Sequence, residues 1–343
     1  MPSNLFTNPT SSVIEDNDGN LIGARIAEDG QWRFPHNDKV PPKFAAAILQ
    51  FEDKNFYYHP GVDLLATARA TYQNIKSGSI VSGGSTLTMQ TIRLSRQGKS
   101  RTFLEKFIEM IMATRLEFSC SKNKILSYYA SNAPFGGNVV GLDAAAWRYY
   151  GRNANQLSWA ESATLAVLPN APSLIFPGKN HQKLLEKRNR LLNKLYQNNF
   201  IDSLTYEVSK EELLPQKPLR LPNIAPHLHN LIIKSNKGKR VKTTIDKFLQ
   251  EKTNEIINKH YHQLKFNEIH NAAAIIIEIE TGNILAYVGN TSGSKENGND
   301  VDVIQAPRST GSILKPILYA SMLSDGDILP NTLISDVPII IAG

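Results

Sequence analysis

The rhythm of apolar and polar positions changes several times along the chain. Residues 1–40 mix Gly, Asn, Asp and Pro with short β-prone pieces, among them 21–26, and predict an extended or hairpin lead-in. Pro41 and Pro42 then open an Ala-rich helix expected over 43–54. From there to about residue 200 the spacing is mostly helical, with loops expected at 76–85 and 133–141. Residues 203–240, rich in Lys, Leu and Pro, read as a connector, and 242–261 as one more helix. The character then turns to β. Residues 272–279, the turn Thr281-Gly282-Asn283 and residues 284–288 predict a hairpin. The polar stretch TSGSKENGND is a loop, and a further helix starts near Ser312. No internal repeat is present. The expected division is a lead-in over 1–40, a mainly helical domain over 41–205, a connector over 206–265 and the start of a second domain over 266–343.

Length agrees with two domains, since 343 residues is about twice the usual 150 or so. A hydrophobic share of 41% can fill real cores. The net charge of +7 suits a nucleic acid, an anionic lipid or a phosphorylated substrate, and does not choose among them. Cys120 is the single cysteine, so no intrachain disulfide can form and a four-cysteine metal site is excluded. No apolar run approaches the roughly 20 residues of a membrane-spanning helix. Residues 1–20 have no basic start followed by an apolar stretch, so neither a signal peptide nor a spanning helix is expected in this chain.

Several segments carry candidate chemistry. In EDKNFYYHPG, Glu52 follows Ile48 by four residues and Leu49 by three, beside the apolar stripe of the preceding helix. Partial burial there would raise its pKa and suit it to general-base work. The plainer reading is a surface glutamate at a helix end. SGGSTLTMQ is a Gly-rich turn into a helix, with Ser85 as N-cap and free N–H groups that can hold phosphate; the plainer reading is an ordinary capped helix. Arg93, Arg96, Lys99, Arg101 and Lys106 follow, opposed only by Glu105. They could clamp a pyrophosphate or form a solvated face, and no nucleic-acid motif accompanies them. A helical wheel over 101–118 places Glu109 near Lys106 and Ala113, away from Phe103, Phe107, Ile108 and Ile111, which predicts a solvated side chain. Ser312-Ile313-Leu314-Lys315 has the Ser-x-x-Lys spacing that sets an amine beside a nucleophilic hydroxyl, a pattern that also arises by chance. His59 by itself reads as structural, and the eight histidines lack zinc-ligand spacing.

Taken together, these segments resemble the class A penicillin-binding proteins, nearest their 1C type. Glu52, Asp53, Phe56, His59 and Gly61 match E-D-x-x-F-x-x-H-x-G. Gly83 or Gly84 with Ser85, Thr86 and Gln90 matches G-x-S-T-x-x-Q. Lys106 and Glu109 match R-K-x-x-E; Ser121, Lys122, Ile125, Leu126, Tyr129 and Gly136 match a fourth motif; Arg188 to Leu192 supplies a fifth. The hairpin and RSTGSILKP are similar to the opening of a penicillin-binding transpeptidase domain. The resemblance implies a mainly α, lysozyme-like glycosyltransferase domain followed by an incomplete α+β transpeptidase domain. It implies polymerisation of lipid II into β-1,4 glycan strands, with Glu52 as general base and Glu109 as the second carboxylate. Asp53, His59, Ser85, Thr86, Gln90, Arg93, Arg101 and Lys106 would bind substrate, and a divalent cation, Mg or Mn, would assist at the donor pyrophosphate. Ser312 and Lys315 would be the acylation pair of the incomplete domain, left idle. The implied partners are lipid II, the nascent glycan, a membrane surface and other cell-wall synthesis proteins, with no nucleic acid, at the outer face of a bacterial inner membrane. Rival readings are an inactive fragment that binds glycan or a cell-wall partner, and a lysozyme-like hydrolase. Glu105 stands where the third motif has Arg, Ser127 where the fourth has Glu, and Ala130-Ser131 where it has Leu-Asn. After Lys315 no Ser-x-Asn or Lys-Thr-Gly follows, and the hairpin is expected to lack sheet neighbours and pack loosely.

Overall fold

A computed structural model describes residues 5–78, 84–96, 102–307 and 309–333. The lead-in is a hairpin of β1 (Ser12–Glu15) and β2 (Leu21–Arg25), turned by Asp16, whose carboxylate accepts from the N–H groups of Asp18 and Asn20. A short β3 (Trp32–Arg33) follows. Pro42 then opens α1 (Pro42–Glu52), as suits a residue with no N–H to lose in a first turn. Next come α2 (Leu64–Ser77), α3 (Leu87–Ser95), α4 (Phe103–Ser119) and α5 (Lys122–Asn132). The segment expected to be a loop at 133–141 holds β4 (Val139–Val140), which pairs in parallel with β3.

The helical body closes with α6 (Leu142–Tyr150), α7 (Trp159–Val167) and α8 (His181–Gln197). α7 is its axis. Ser158 and Glu161 form a reciprocal capping box at its start, and every residue from Ala160 to Val167 is buried. α1 and α8 pack on it, so the stripe Phe44, Ala47 and Ile48 enters one continuous core. Each large apolar side chain fully buried there contributes about 1.5–3 kcal/mol. α3 packs across α4 and α5.

Two helices, α9 (Ser203–Glu211) and α10 (Pro226–Asn236), lie in what reads as connector. The helix expected from 242 instead begins at α11 (Lys247–Leu264). Ahead of it, β5 (Arg240–Lys242) pairs in parallel with β1, and Thr243 donates to the carbonyl of Glu15. The edge of β1 thus draws this stretch out of the helix, and Asp246 caps what remains. The sheet order β2-β1-β5 ties the lead-in to residues 240–242.

β6 (Ala274–Ile277) and β7 (Ile284–Val288) form the expected hairpin, a two-stranded sheet with no third strand among the described residues. Its packing is tighter than expected along β7. Ala286, Tyr287 and Val288 are buried, Gln250 of α11 exchanges hydrogen bonds with the Tyr287 backbone, and the Tyr287 side chain joins Ile14, Ile22 and Ile245 in a second small core. Ile277 and Ile279 remain exposed, and α12 (Leu314–Asp325) has no buried residue. The whole is mainly α, a lysozyme-like body followed by a small β-containing part.

Candidate active site

Glu52 ends α1, where it is half-buried and accepts a 2.7 Å hydrogen bond from the Gln90 amide of α3. Burial raises its pKa above the usual glutamate value of 4.5, only partly offset by the Gln90 bond and the nearby Lys187. Its neighbour Asp53 does structural work. Both Asp53 carboxylate oxygens lie 3.0 Å from His59 Nε2, and one accepts from the Leu87 N–H at the start of α3. Thr86, the actual N-cap of α3, donates to the Gly61 carbonyl at 2.6 Å and accepts from Met89 N–H. The first motif is therefore bolted to the second. Gly61 is required, since with φ of +92° a Cβ would stand 2.7 Å from the Ala113 backbone of α4.

Three residues beyond Gln90 on the same face of α3, Arg93 forms a bidentate pair with Glu109, at 2.9 and 2.7 Å. Its guanidinium also donates to the Ser85 hydroxyl at 3.3 Å. Glu109 is 4% exposed. The expectation of a solvated side chain is thus wrong: α4 turns Glu109, Ala113 and Leu116 inward and leaves Phe107 and Ile111 exposed. The bidentate arginine is what makes this burial affordable. Glu105, the departure from the third motif, is paired with Arg96, the residue that caps the end of α3, rather than standing as a free negative charge. Lys106 is half-buried with no ion-pair partner among the described residues. Arg101 and Lys99 lie outside the described residues, as do Gly83 and Arg308.

Beside Glu52 stand Tyr129, a fourth-motif position, and Lys187, which sequence reasoning missed. Tyr129 of α5 is 1% exposed, and its buried hydroxyl has no hydrogen-bond partner among the described residues. Burial pushes that phenol well above 10, and the Glu52 charge pushes it further. Lys187 of α8 is close enough to lower the Glu52 pKa and donates to Asn170. It sits beside Arg188 of the fifth motif, whose guanidinium is buried and donates to the carbonyls of Lys210 and Glu212. Arg188 is a structural tie, and the signal for Lys187 was that adjacency. Ser127 is buried and donates to the Lys124 carbonyl, Ala130 is buried in the core, and Ser131 accepts from the Asn37 N–H. Ser312, in a 3-10 turn, and Lys315, in the first turn of α12, are exposed and make no hydrogen bond to each other. Among the described residues no three His, Cys, Asp or Glu side chains come together to hold a metal.

The transglycosylase family model matches residues 18–196, just over half of the chain and the part that carries Glu52, Gln90, Arg93, Glu109, Tyr129 and Lys187. The chain belongs to the transglycosylase family. It is 34% identical over 333 residues to penicillin-binding protein 1C of Escherichia coli strain K12, across 96% of this chain and 43% of that protein. It is 28% identical over 344 residues to penicillin-binding protein 1F of Bacillus subtilis strain 168, across 95% of this chain and 47% of that protein. A third relative, penicillin-binding protein 1A of Pseudomonas aeruginosa, is 39% identical over 192 residues, 55% of this chain and 23% of that protein. The chain spans less than half the length of these relatives. Its kinship is with several penicillin-binding proteins, and no one type is singled out.

Proposed function

We propose that this transglycosylase polymerises lipid II into β-1,4 glycan strands. The observation that carries the reading is the pair of carboxylates, Glu52 and Glu109, anchored by Gln90 and Arg93 one turn apart on α3. In the proposed step Glu52 takes the proton of the acceptor sugar's 4-hydroxyl. That oxygen bonds to the anomeric carbon of the growing chain, and the bond to the pyrophosphate oxygen breaks, releasing undecaprenyl pyrophosphate. A carboxylate whose pKa is raised by burial is a stronger base for this task. Arg93 and Lys106, with Arg101, would offset charge building on the leaving group. A divalent cation at the pyrophosphate stays within the proposal, but both Glu109 oxygens are engaged by Arg93 and the described residues do not form a cation site, so no step is routed through it.

The proposal extends to the 1C type, to a membrane surface and to the outer face of a bacterial inner membrane. No helix among the described residues is long and apolar enough to cross a membrane. Contact with a surface is supported by exposed Leu64, Leu65, Leu104, Phe107, Ile111 and Phe118 on α2 and α4. Incubation with labelled lipid II is the test. Polymer supports the reading; no product from folded protein, or cleavage of preformed glycan instead, overturns it. Ser312 and Lys315 are proposed to be idle, because both are exposed and unconnected. A fluorescent penicillin should label the protein no more than it labels Ser312→Ala, and stoichiometric labelling lost in that variant would refute the idleness.

A further inference from the structure

Away from the carboxylates, a cleft of about 440 Å³ opens where β2, Trp32, α6, residues 220–223 and α10 meet. Three arginines line it: Arg25 of β2, Arg148 of α6 and Arg220. None has a carboxylate partner among the described residues. Arg25 donates to Asn230 at 2.6 Å. Arg148 is half-buried, lies 5.7 Å from the Trp32 ring centroid and donates to the Leu219 carbonyl, yet its Nε is buried without a partner among the described residues. His229, 4% exposed, also lines the cleft, and its Nε2 has no partner among the described residues. Buried charge and buried polar atoms are costly unless paired, so a half-buried guanidinium with no acid gains when an anion arrives. The one acid on the lining is Asp300. Three arginines against one aspartate leave a formal +2, and His229 adds nothing at neutral pH because burial and Arg25 lower its pKa to about 4.

We propose that this cleft is an anion site for a phosphate-class dianion, seated on Arg25, Arg148 and Arg220. The net charge matches the roughly −1.5 to −2 that a phosphomonoester carries at pH 7, whereas one carboxylate would leave a positive charge unmet. Guanidinium forks match phosphate oxygens. A bound dianion would bridge the helical body, through Arg148, to the lead-in and connector, through Arg25 and Arg220. The ligand is either free phosphate or a phosphate-bearing lipid headgroup.

Calorimetry on the whole chain separates the two sources, with inorganic phosphate in one arm and vesicles of phosphatidylcholine with or without phosphatidic acid in the other. Phosphate binding that weakens at least about 10-fold in Arg148→Gln and in Arg220→Gln, but persists in Lys106→Gln, supports a free ligand at this cleft. Selective binding of phosphatidic acid vesicles with the same dependence supports the headgroup. Arg220 is exposed, so its variant tests the site even where Arg148→Gln fails to fold. Wild-type affinity in both arginine variants, or no binding of either probe by the wild type, overturns the proposal. Lys106→Gln keeps this result distinct from any pyrophosphate clamp beside Glu109.

Discussion

Glu52 ends a helix whose apolar stripe faces the core, whereas Glu109 sits midway along one that leaves Leu104, Phe107, Ile111 and Phe118 facing out. In α1 the buried set Phe44, Ala47 and Ile48 fixes the orientation, and the carboxylate follows as a half-buried end residue. In α4 the buried set includes Glu109 itself, with Ala113 and Leu116, while Phe107 is 59% and Ile111 55% exposed. Hydrophobic burial alone orients α1. In α4 it competes with a bidentate ion pair to Arg93, with the close passage of Gly61 over Ala113, and with whatever covers the outer face. The teaching is that an amphipathic pattern identifies a helix but not which side meets the protein.

The largest effect expected from breaking this contrast is at Glu52. Glu52→Gln keeps the shape and the neighbour Gln90, removes the base, and should cut lipid II polymerisation at least about 100-fold. Near-normal turnover by the folded variant would end the general-base assignment. The acid limb of kcat/KM should fall above the ordinary glutamate range, because burial raises this carboxyl, and should vanish in the variant. Stability should move the other way. An acid with a raised folded pKa favours the fold below its unfolded pKa and loses that contribution as pH rises through the folded value. Glu52→Gln should therefore gain Tm relative to wild type near pH 7, and that gain should shrink as pH falls toward 3. A gain that grows on acidification would contradict the raised pKa.

The next effect is an asymmetry within the ion pair. Arg93→Gln leaves the Glu109 carboxylate buried without its fork and should cost roughly 2–3 kcal/mol, below the 3–5 kcal/mol of a fully buried pair because the Arg93 side chain is 35% exposed. Glu109→Gln leaves an arginine that water can reach and should cost about half as much. Urea melts of the two variants and their combination measure the coupling. Equal costs, or a combination that simply adds, would mean that the pair does not hold α4 in place.

Much of the helical body was legible because caps and apolar spacing agree there. Pro42 opens α1 almost where the sequence places it, and the β6–β7 hairpin occupies the expected stretch. What escaped was decided by partners distant in sequence. Residues 240–242 become a strand because β1 offers an edge more than 220 positions away, which local spacing cannot reveal. At the site, Glu52 and Gln90 were legible as motif positions and do touch. Ser85 was expected to cap α3, but Thr86 does, and Asp53 and His59 proved to be the brace beneath the site. Tyr129 was legible as a motif position but not as a neighbour of Glu52, and Lys187 only as the residue beside Arg188, since each matters through its proximity to Glu52 in the fold.

The smallest effect on stability should come from the outer face of α4, and there the contrast with α1 is sharpest. Removing a stripe residue from α1, as in Ile48→Ala, should cost about 2–5 kcal/mol, the usual loss for a large side chain buried in a core. Phe107→Ser with Ile111→Ser removes side chains already mostly in solvent, so stability should change by no more than about 0.5 kcal/mol per site. If those residues instead meet a lipid surface, each contributes apolar area only when the protein is bound there, at about 25 cal/mol per Å² removed from water. The double variant should then keep its Tm while its partition onto anionic vesicles, read by co-sedimentation, drops several-fold. A Tm loss comparable to Ile48→Ala would mean that the outer face packs against protein after all, and that α4 obeys the same rule as α1.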